Sequence, residues 1–348
     1  MADKLMKDYK EWANKVVDAL RADTSWEKLY DGYAKDLLKN RDLFLEAKGK
    51  FREHAPLHFY LTIGKVKSGK TDFDVRYLGQ SVGTVSVKGD DVKLSVSKEQ
   101  ADHSKKYFGY MAGAVSGVSW SNSKFAREFR KFYKDGNRGL PRQKEHMVES
   151  ALFSEIGKRR SANKTLCNIT PVQYVGRRIH MKTAVKASKA GKKNLIEVSD
   201  AGGEIDLFCR RSIKNGRGES RLVVIEIKDE NRKDESFDST MKQAVSYAVF
   251  IRELIHSKAG NNWMELWGMK NQKKTGFTID CVVAMPKGET RPSYTGKEQP
   301  IPLENDDGSI DHLKLHYLEI TSQIGEDSAE DVLFSTSMSQ KESLDEIK

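Results

Sequence analysis

The chain contains no run of eighteen apolar residues, so no segment is built to span a bilayer as a helix. Its opening residues, MADKLMKDYKEW, lack the apolar core of a secretory signal. The expectation is a cytoplasmic protein with no membrane partner. Cysteine is scarce as well. Cys167, Cys209 and Cys281 are odd in number and far apart, which excludes a disulfide framework. No CxxC pair points to a zinc knuckle. No internal repeat is visible. At 348 residues the chain is long for one ordinary domain and comfortable for two.

Charge is what the sequence has in abundance. Charged residues make up 32%, and 60 Lys and Arg against 50 acids give a net +10. A polyanion such as nucleic acid is the natural partner of such a surface, and a merely soluble basic protein is the alternative. The charge is unevenly spread. Residues 310–348 hold 3 bases and 9 acids, and the tail ending QKESLDEIK reads as solvated. Residues 157–193 carry 11 Lys or Arg and no acid, among them Lys158, Arg159, Arg160, Arg177, Arg178, Lys182 and Lys192. A stretch this one-sided repels itself unless an anion lies against it. The alternative is a solvated loop.

Residues 3–50 read as helical, with Leu5, Trp12, Val16, Leu20, Leu37, Leu38, Phe44 and Leu45 at roughly helical spacing. From Pro56 the period changes. LHFYLTI, FDVRYLG, VGTVSV and VKLSVS are short, alternating and β-branched. SVKGDDVKLSV predicts a hairpin with a Gly-Asp turn, and SNSKFAREFRKFYKD an amphipathic helix behind a Ser or Asn cap. DGNRGLP marks a linker near 135–141. The expected division is an N-terminal α+β domain over 1–140, a second domain over 141–322 and an acidic tail over 323–348. The second domain opens with a helix, RQKEHMVESALFSEIGK. GGEIDLFCRRS and RLVVIEIKDE follow as an antiparallel hairpin joined by IKNGRGES. Next come a long helix, STMKQAVSYAVFIRELIHSK, and the strands GFTIDCVVAMP and HLKLHYLEI. That order predicts an α/β fold with a mixed central sheet flanked by helices.

One motif fails its context. GKVKSGKT at 64–71 matches GxxxxGK[ST], which would put Lys70 on a β/γ-phosphate and Thr71 on magnesium. A helix must follow to present its N-terminus to the phosphates. TDFDVRYLGQSVGTVSV alternates like strand instead, so a hairpin tip is the better reading.

The residues that carry chemistry are Asp206, Glu226 and Lys228. In VVIEIKDE the acid and the lysine are two apart, so they share one face of a strand, while Ile225 and Ile227 point to the other. Charges on so apolar a strand are costly unless they act together. A hairpin brings Asp206 beside Glu226. Two such carboxylates, with the Ile227 carbonyl as a third ligand, suit a hard divalent cation: Mg2+, with Mn2+ able to substitute. The metal would activate water and Lys228 would orient it or neutralise developing charge. A structural salt bridge at a strand end is the alternative reading.

This arrangement resembles the PD-(D/E)xK nuclease superfamily over roughly residues 145–285. The resemblance implies a restriction-endonuclease-like core. It also implies a supporting acid on the helix before the hairpin. Glu149 takes that role because Leu152, Phe153 and Ile156 follow at i+3, i+4 and i+7; Glu155 is the runner-up. Gln243 and Tyr247, four apart on the later helix, look like the QxxxY element of the RecB-type branch, which lines the DNA side of the site. A Tyr in the core with Gln at its edge is the alternative. Two features depart from that branch. The cysteines match no iron–sulfur set, and the gap from Glu149 to Asp206 is long. Within the gap CNITPVQYVGRRIHM has strand character and reads as an inserted strand or hairpin that grips phosphate through Arg177, Arg178 and Lys182, with His180 nearby.

Residues 1–140 carry no motif that resembles a known family. Trp120, Phe125, Phe129, Phe132 and Tyr133 are core at helical spacing or else a stacking surface. The expectation for the whole is a magnesium-dependent deoxyribonuclease, an endonuclease serving restriction, antiviral defence or DNA processing. Double-strand cleavage needs two sites or two events, so a homodimer is compatible with it. The competing class is a non-catalytic nucleic-acid-binding protein on a nuclease-like fold.

Overall fold

The helical spacing at the N-terminus becomes three helices, α1 (Ala2–Ala22), α2 (Ser25–Lys39) and α3 (Arg41–Gly49). On α1 Tyr9, Trp12, Ala13, Val16 and Leu20 are buried, one apolar stripe at i, i+3, i+4, i+7 and i+11. The chain is seen here as a computed structural model that describes residues 2–63, 70–135, 148–149, 152–153, 156, 168–187, 196–200, 202–212, 220–228, 236–286, 300–322 and 332–336.

The alternating segments form β1 (His58–Thr62), β2 (Thr71–Tyr77), β3 (Gln80–Lys88) and β4 (Asp91–Val96). They are followed by α4 (Lys98–Phe108), β5 (Val115–Ser119) and α5 (Lys124–Lys134). β2 shows why alternation decides. Thr71, Phe73 and Val75 are fully buried, while Asp72, Asp74 and Arg76 leave by the other face. β3 and β4 pair down to Lys88 and Asp91 around Gly89, whose φ of +55° suits the Gly-Asp turn. Thr71 and its successors are strand, as the context of GKVKSGKT requires. Lys70 pairs with Asp72 at 3.1 Å, and residues 64–69 lie outside the described residues.

The Ser123 hydroxyl caps α5 by accepting from the Ala126 amide at 3.0 Å. Ser123→Ala is expected to cost about 1 kcal/mol of stability, read as a lower urea midpoint with unchanged slope. Trp120, Phe129 and Tyr133 are buried, with Phe125 and Phe132 packed against the same core. The aromatic set is therefore packing, and not a stacking surface.

In the second half Val148, Glu149, Leu152, Phe153 and Ile156 are helical. The linker of 136–141, Glu155, the turn of 213–219 and most of the basic stretch lie outside the described residues. Then come β6 (Ile169–Pro171), β7 (Gln173–Tyr174), β8 (Arg177–His180), β9 (Leu207–Ser212) and β10 (Ser220–Ile227). They are followed by α6 (Phe237–His256), α7 (Gly260–Leu266), β11 (Thr278–Pro286), β12 (Ile301–Glu304), β13 (Ile310–Ser322) and β14 (Val332–Thr336).

The fold is mixed α/β with two mixed sheets. One sheet has the order β5-β4-β3-β2-β1-β8-β7, antiparallel except where β8 lies parallel to β1. The other has the order β12-β13-β11-β10-β9-β6, with β14 on β13. There β6, β9 and β10 form an antiparallel set. β11 lies parallel to β10 after the α6 crossover, and β13 lies parallel to β11.

The core is shared across position 140. The Trp12 indole on α1 donates to Ser246 Oγ of α6 at 3.0 Å, and the Trp263 indole on α7 donates to the Tyr30 carbonyl on α2 at 3.1 Å. β7 and β8 turn tightly through Val175 and Gly176, at φ +49° and +71°, and extend the first sheet. The expectation of a solvated tail is corrected over Val332–Thr336. The apolar VLF there pairs with β13, because an open sheet edge supplies the hydrogen bonds that a short β-prone segment needs. Among the described residues no helix is long and apolar enough to cross a membrane.

Candidate active site

β10 separates two packed faces. Val223, Ile225 and Ile227 pack on Val148, Leu152, Phe153 and Ile156, while Leu222 and Val224 join the core that includes α6. Glu226 therefore falls on the α6 face, where it is 4% exposed. The sequence expected Glu226 and Lys228 on one face opposite Ile225 and Ile227, and the strand does this. It also buries both faces.

β9 brings Asp206 to Glu226. The register pairs Ile225 with Leu207, so the next opposed positions are Glu226 and Asp206. β9 ends there, and the Asp206 carboxylate takes over its hydrogen bonding by accepting from the Ile227 amide at 2.8 Å. A strand residue's N–H and C=O leave from one edge, so the Ile227 carbonyl faces the Asp206 side too. Lys228 Nζ lies 3.0 Å from Glu226 Oε1, and the Lys228 amide donates to the Ala284 carbonyl of β11.

Burial and the neighbouring Glu226 charge push the Asp206 carboxyl well above its ordinary range, against the pull of Lys228. Glu149 pushes it the same way from the helix on the other side of the sheet. Glu149 is buried and acts also on Tyr60, Arg76 and Arg178. Four of the expected residues, Asp206, Glu226, Lys228 and Glu149, thus share one electrostatic environment. Among the described residues no group of three or more His, Cys, Asp or Glu side chains is placed to hold a metal. The oxygens gathered at these strand ends are those of two carboxylates and one backbone carbonyl.

Tyr247 on α6 reaches the same place. Burial, then Glu226 and Asp206, hold its hydroxyl in the protonated form far above the usual range. A Cβ on Gly203 would sit 2.5 Å from the Tyr247 hydroxyl, so the ring packs directly on that glycine. Gln243, one turn earlier, is buried. The residues that sequence reasoning passed over are Gly202, Gly203 and Glu204. The Gly-Gly pair was legible as a place of close backbone approach. Gly203 accepts from the Thr183 amide at 2.9 Å and donates to the Val185 carbonyl at 3.0 Å, which straps the loop before Asp206 to the chain after β8.

The basic residues are placed differently from the expectation of open phosphate contacts. Arg177 is 3% exposed, ion-paired with Glu53 and surrounded by the rings of Phe51, Phe59 and Phe73. Arg178 lies on Phe153, with its guanidinium 3.3 Å from the ring centroid. Both are packing residues here, because a guanidinium stem buries well against aromatic faces. Lys182 is half-buried, its backbone paired antiparallel with that of Glu204 beside a polar cleft that His180 also lines. No family model, curated protein or solved structure matches this chain.

Proposed function

We propose that the chain is a metal-dependent nuclease of the PD-(D/E)xK type that hydrolyses phosphodiester bonds in DNA. The observation that carries this reading is the juxtaposition of buried Asp206 and Glu226 at adjoining strand ends, with Lys228 against Glu226. Two carboxylates buried together repel, and Asp206 resists ionising; a bound divalent cation removes that conflict. The donor set of Asp206, Glu226 and the Ile227 carbonyl fits a hard oxygen-seeking ion such as Mg2+. When bound, such an ion supplies Lewis-acid stabilisation of the phosphate and lowers the pKa of water. Lys228 is held beside Glu226, from where it can orient that water and offset charge on the phosphate oxygens. Glu149 tunes Asp206, and Tyr247 with Gln243 shapes the wall on the α6 side.

The order helix, β6, β9, β10, α6, β11, with the first three strands antiparallel and the last parallel, supports a restriction-endonuclease-like core. The β7–β8 excursion is inserted into it. An endonuclease role in restriction, defence or DNA processing rests on analogy with that core. A second reading, a binder that does not cut, is favoured by the Glu226–Lys228 ion pair, which engages both groups with each other.

The test incubates supercoiled and linear DNA with the protein, with and without Mg2+ or Mn2+, beside a Glu226→Ala, Lys228→Ala double variant. Nicking or linearisation that needs both metal and the intact pair is the expected result. Loss from linear ends alone makes it an exonuclease. DNA that is retarded on a gel yet stays whole under both metals moves the conclusion to the binder.

A further inference from the structure

A recessed polar cleft lies beside the candidate active site. Its floor is the outer face of the first sheet, where Asp72, Asp74 and Arg76 leave β2 opposite the core and Ser81 joins them from β3. These are not open-surface side chains: Arg76 and His180 are each 14% exposed. The cavity above them holds about 640 Å3. That lies within the range of about 300–1,000 Å3 typical of small-molecule sites. Glu99 and Gln100 of α4 form one wall, and His180, Lys182 and Glu204 the other.

Hydrogen bonds fix the directions of these groups. Gln100 Nε2 donates to Ser81 Oγ at 2.8 Å, and Ser81 donates to Asp74. Arg76 Nε donates to Asp74 at 2.7 Å, and Arg76 Nη2 donates to His180 Nδ1 at 2.8 Å. A guanidinium only donates, so Nδ1 accepts and the ring proton sits on Nε2, which faces Glu204 at 3.4 Å. Matched in this way the polar groups are tolerated at this depth, and the network holds each of them in one direction. What the cleft presents is an oriented set of donors and acceptors.

The charge selects the ligand. Asp72, Asp74, Glu99 and Glu204 outnumber Arg76 and Lys182 on the lining, so a phosphate is repelled. A neutral group rich in N–H donors fits, and a carboxylate accepts readily from the exocyclic amine of a base. The position selects the source. Glu204 is two residues from Asp206 and acts on Tyr247 together with Glu226 and Asp206.

We propose that this cleft receives an unpaired, amine-bearing nucleobase of the substrate strand next to the phosphate to be cut. The placement beside a cut phosphate rests on the nuclease reading; the base-binding chemistry of the cleft does not. Thymine is disfavoured, because it alone of the four bases carries no exocyclic amine.

The test titrates the full chain with deoxycytidine, deoxyadenosine, deoxyguanosine and thymidine by calorimetry, beside a Glu99→Ala, Glu204→Ala double variant whose fold is checked by circular dichroism. Saturable binding of at least one amine-bearing nucleoside is expected, with thymidine and the variant each about tenfold weaker. Absence of saturable binding by every nucleoside overturns the proposal. So does equal binding of thymidine, or a folded variant that binds as the parent does. DNA cleavage followed in parallel separates the two readings. Nucleoside binding without cleavage keeps the base site and removes its strand-cutting context. Cleavage without nucleoside binding keeps the nuclease and removes the base site.

Discussion

Asp206→Asn is expected to abolish metal-dependent cleavage while making the folded chain more stable. The loss follows from removing one of two carboxylates that would hold the cation; a drop of roughly a thousandfold or more in rate is the scale for such a group. The gain follows from burial. Asp206 sits beside Glu226 and titrates well above its ordinary value in the folded chain. Its proton therefore favours folding. That contribution is complete below the unfolded value of about 4 and is lost as pH rises through the raised folded value. Ionising the buried carboxylate opposes folding, whereas an amide carries no charge at any pH and its oxygen can still accept from the Ile227 amide. Stabilisation of roughly 0.5–2 kcal/mol is expected at pH 7–8, and it should vanish as pH falls toward 4. Thermal melts across that range test the sign. A variant less stable than the parent at pH 8 would show that Asp206 is a structural partner of Lys228 and not a strained ligand. Mg2+ should raise the parent's melting temperature and leave that of the asparagine variant nearly unchanged.

Gly202→Ala should be among the most destabilising single-methyl changes in this chain. A Cβ there would collide with the Thr183 carbonyl and come within 2.6 Å of the Ala184 carbonyl carbon. Neither obstacle is a flexible side-chain end, so the loop must move as backbone. Thr183 and Ala184 are held by their own hydrogen bonds to Gly203 and Ser199, which resist that shift. A cost of roughly 2–4 kcal/mol is expected, together with loss of cleavage, because the loop leads directly into Asp206. Gly32→Ala is the control. It lies in α2 with nothing within 4 Å of the added carbon, and a gain of roughly 0.5–1 kcal/mol is expected there. Denaturant titrations of both variants decide the matter: equal midpoints would mean that the Gly202 loop yields freely and positions nothing.

The site's centre was legible because it is local. A strand that runs apolar from Leu222 to Ile227, broken there only by Glu226, with Asp206 opposite and Lys228 just beyond, states its chemistry through period-two alternation. The helix that follows, and the strand that returns parallel to β10, read from length and apolar content. The Ser123 cap and the Gly-Asp turn were equally local. Arg177 was not legible. Its neighbours in sequence are basic, but its neighbours in space are three aromatic rings and Glu53, all more than a hundred residues earlier. The same holds for Glu149, whose helical stripe was plain while its reach to Arg76 and Arg178 was not.

By itself the sequence determined the type of the strongly periodic segments, among them α1–α3, β1–β4, α5, β9–β11, α6 and β13, which face of each is apolar, and that an acid–acid–lysine set stands on one hairpin. Those are properties of short windows, set by side-chain volume, branching and period. Only the tertiary structure decided which strands meet. It sent β7 and β8 to the first sheet, gave Val332–Thr336 an edge to pair with, buried Arg177 and hollowed a polar cleft beside Glu204. Backbone hydrogen bonds at a sheet edge are the same for every sequence, so partner choice falls to the packing of side chains distant in the chain.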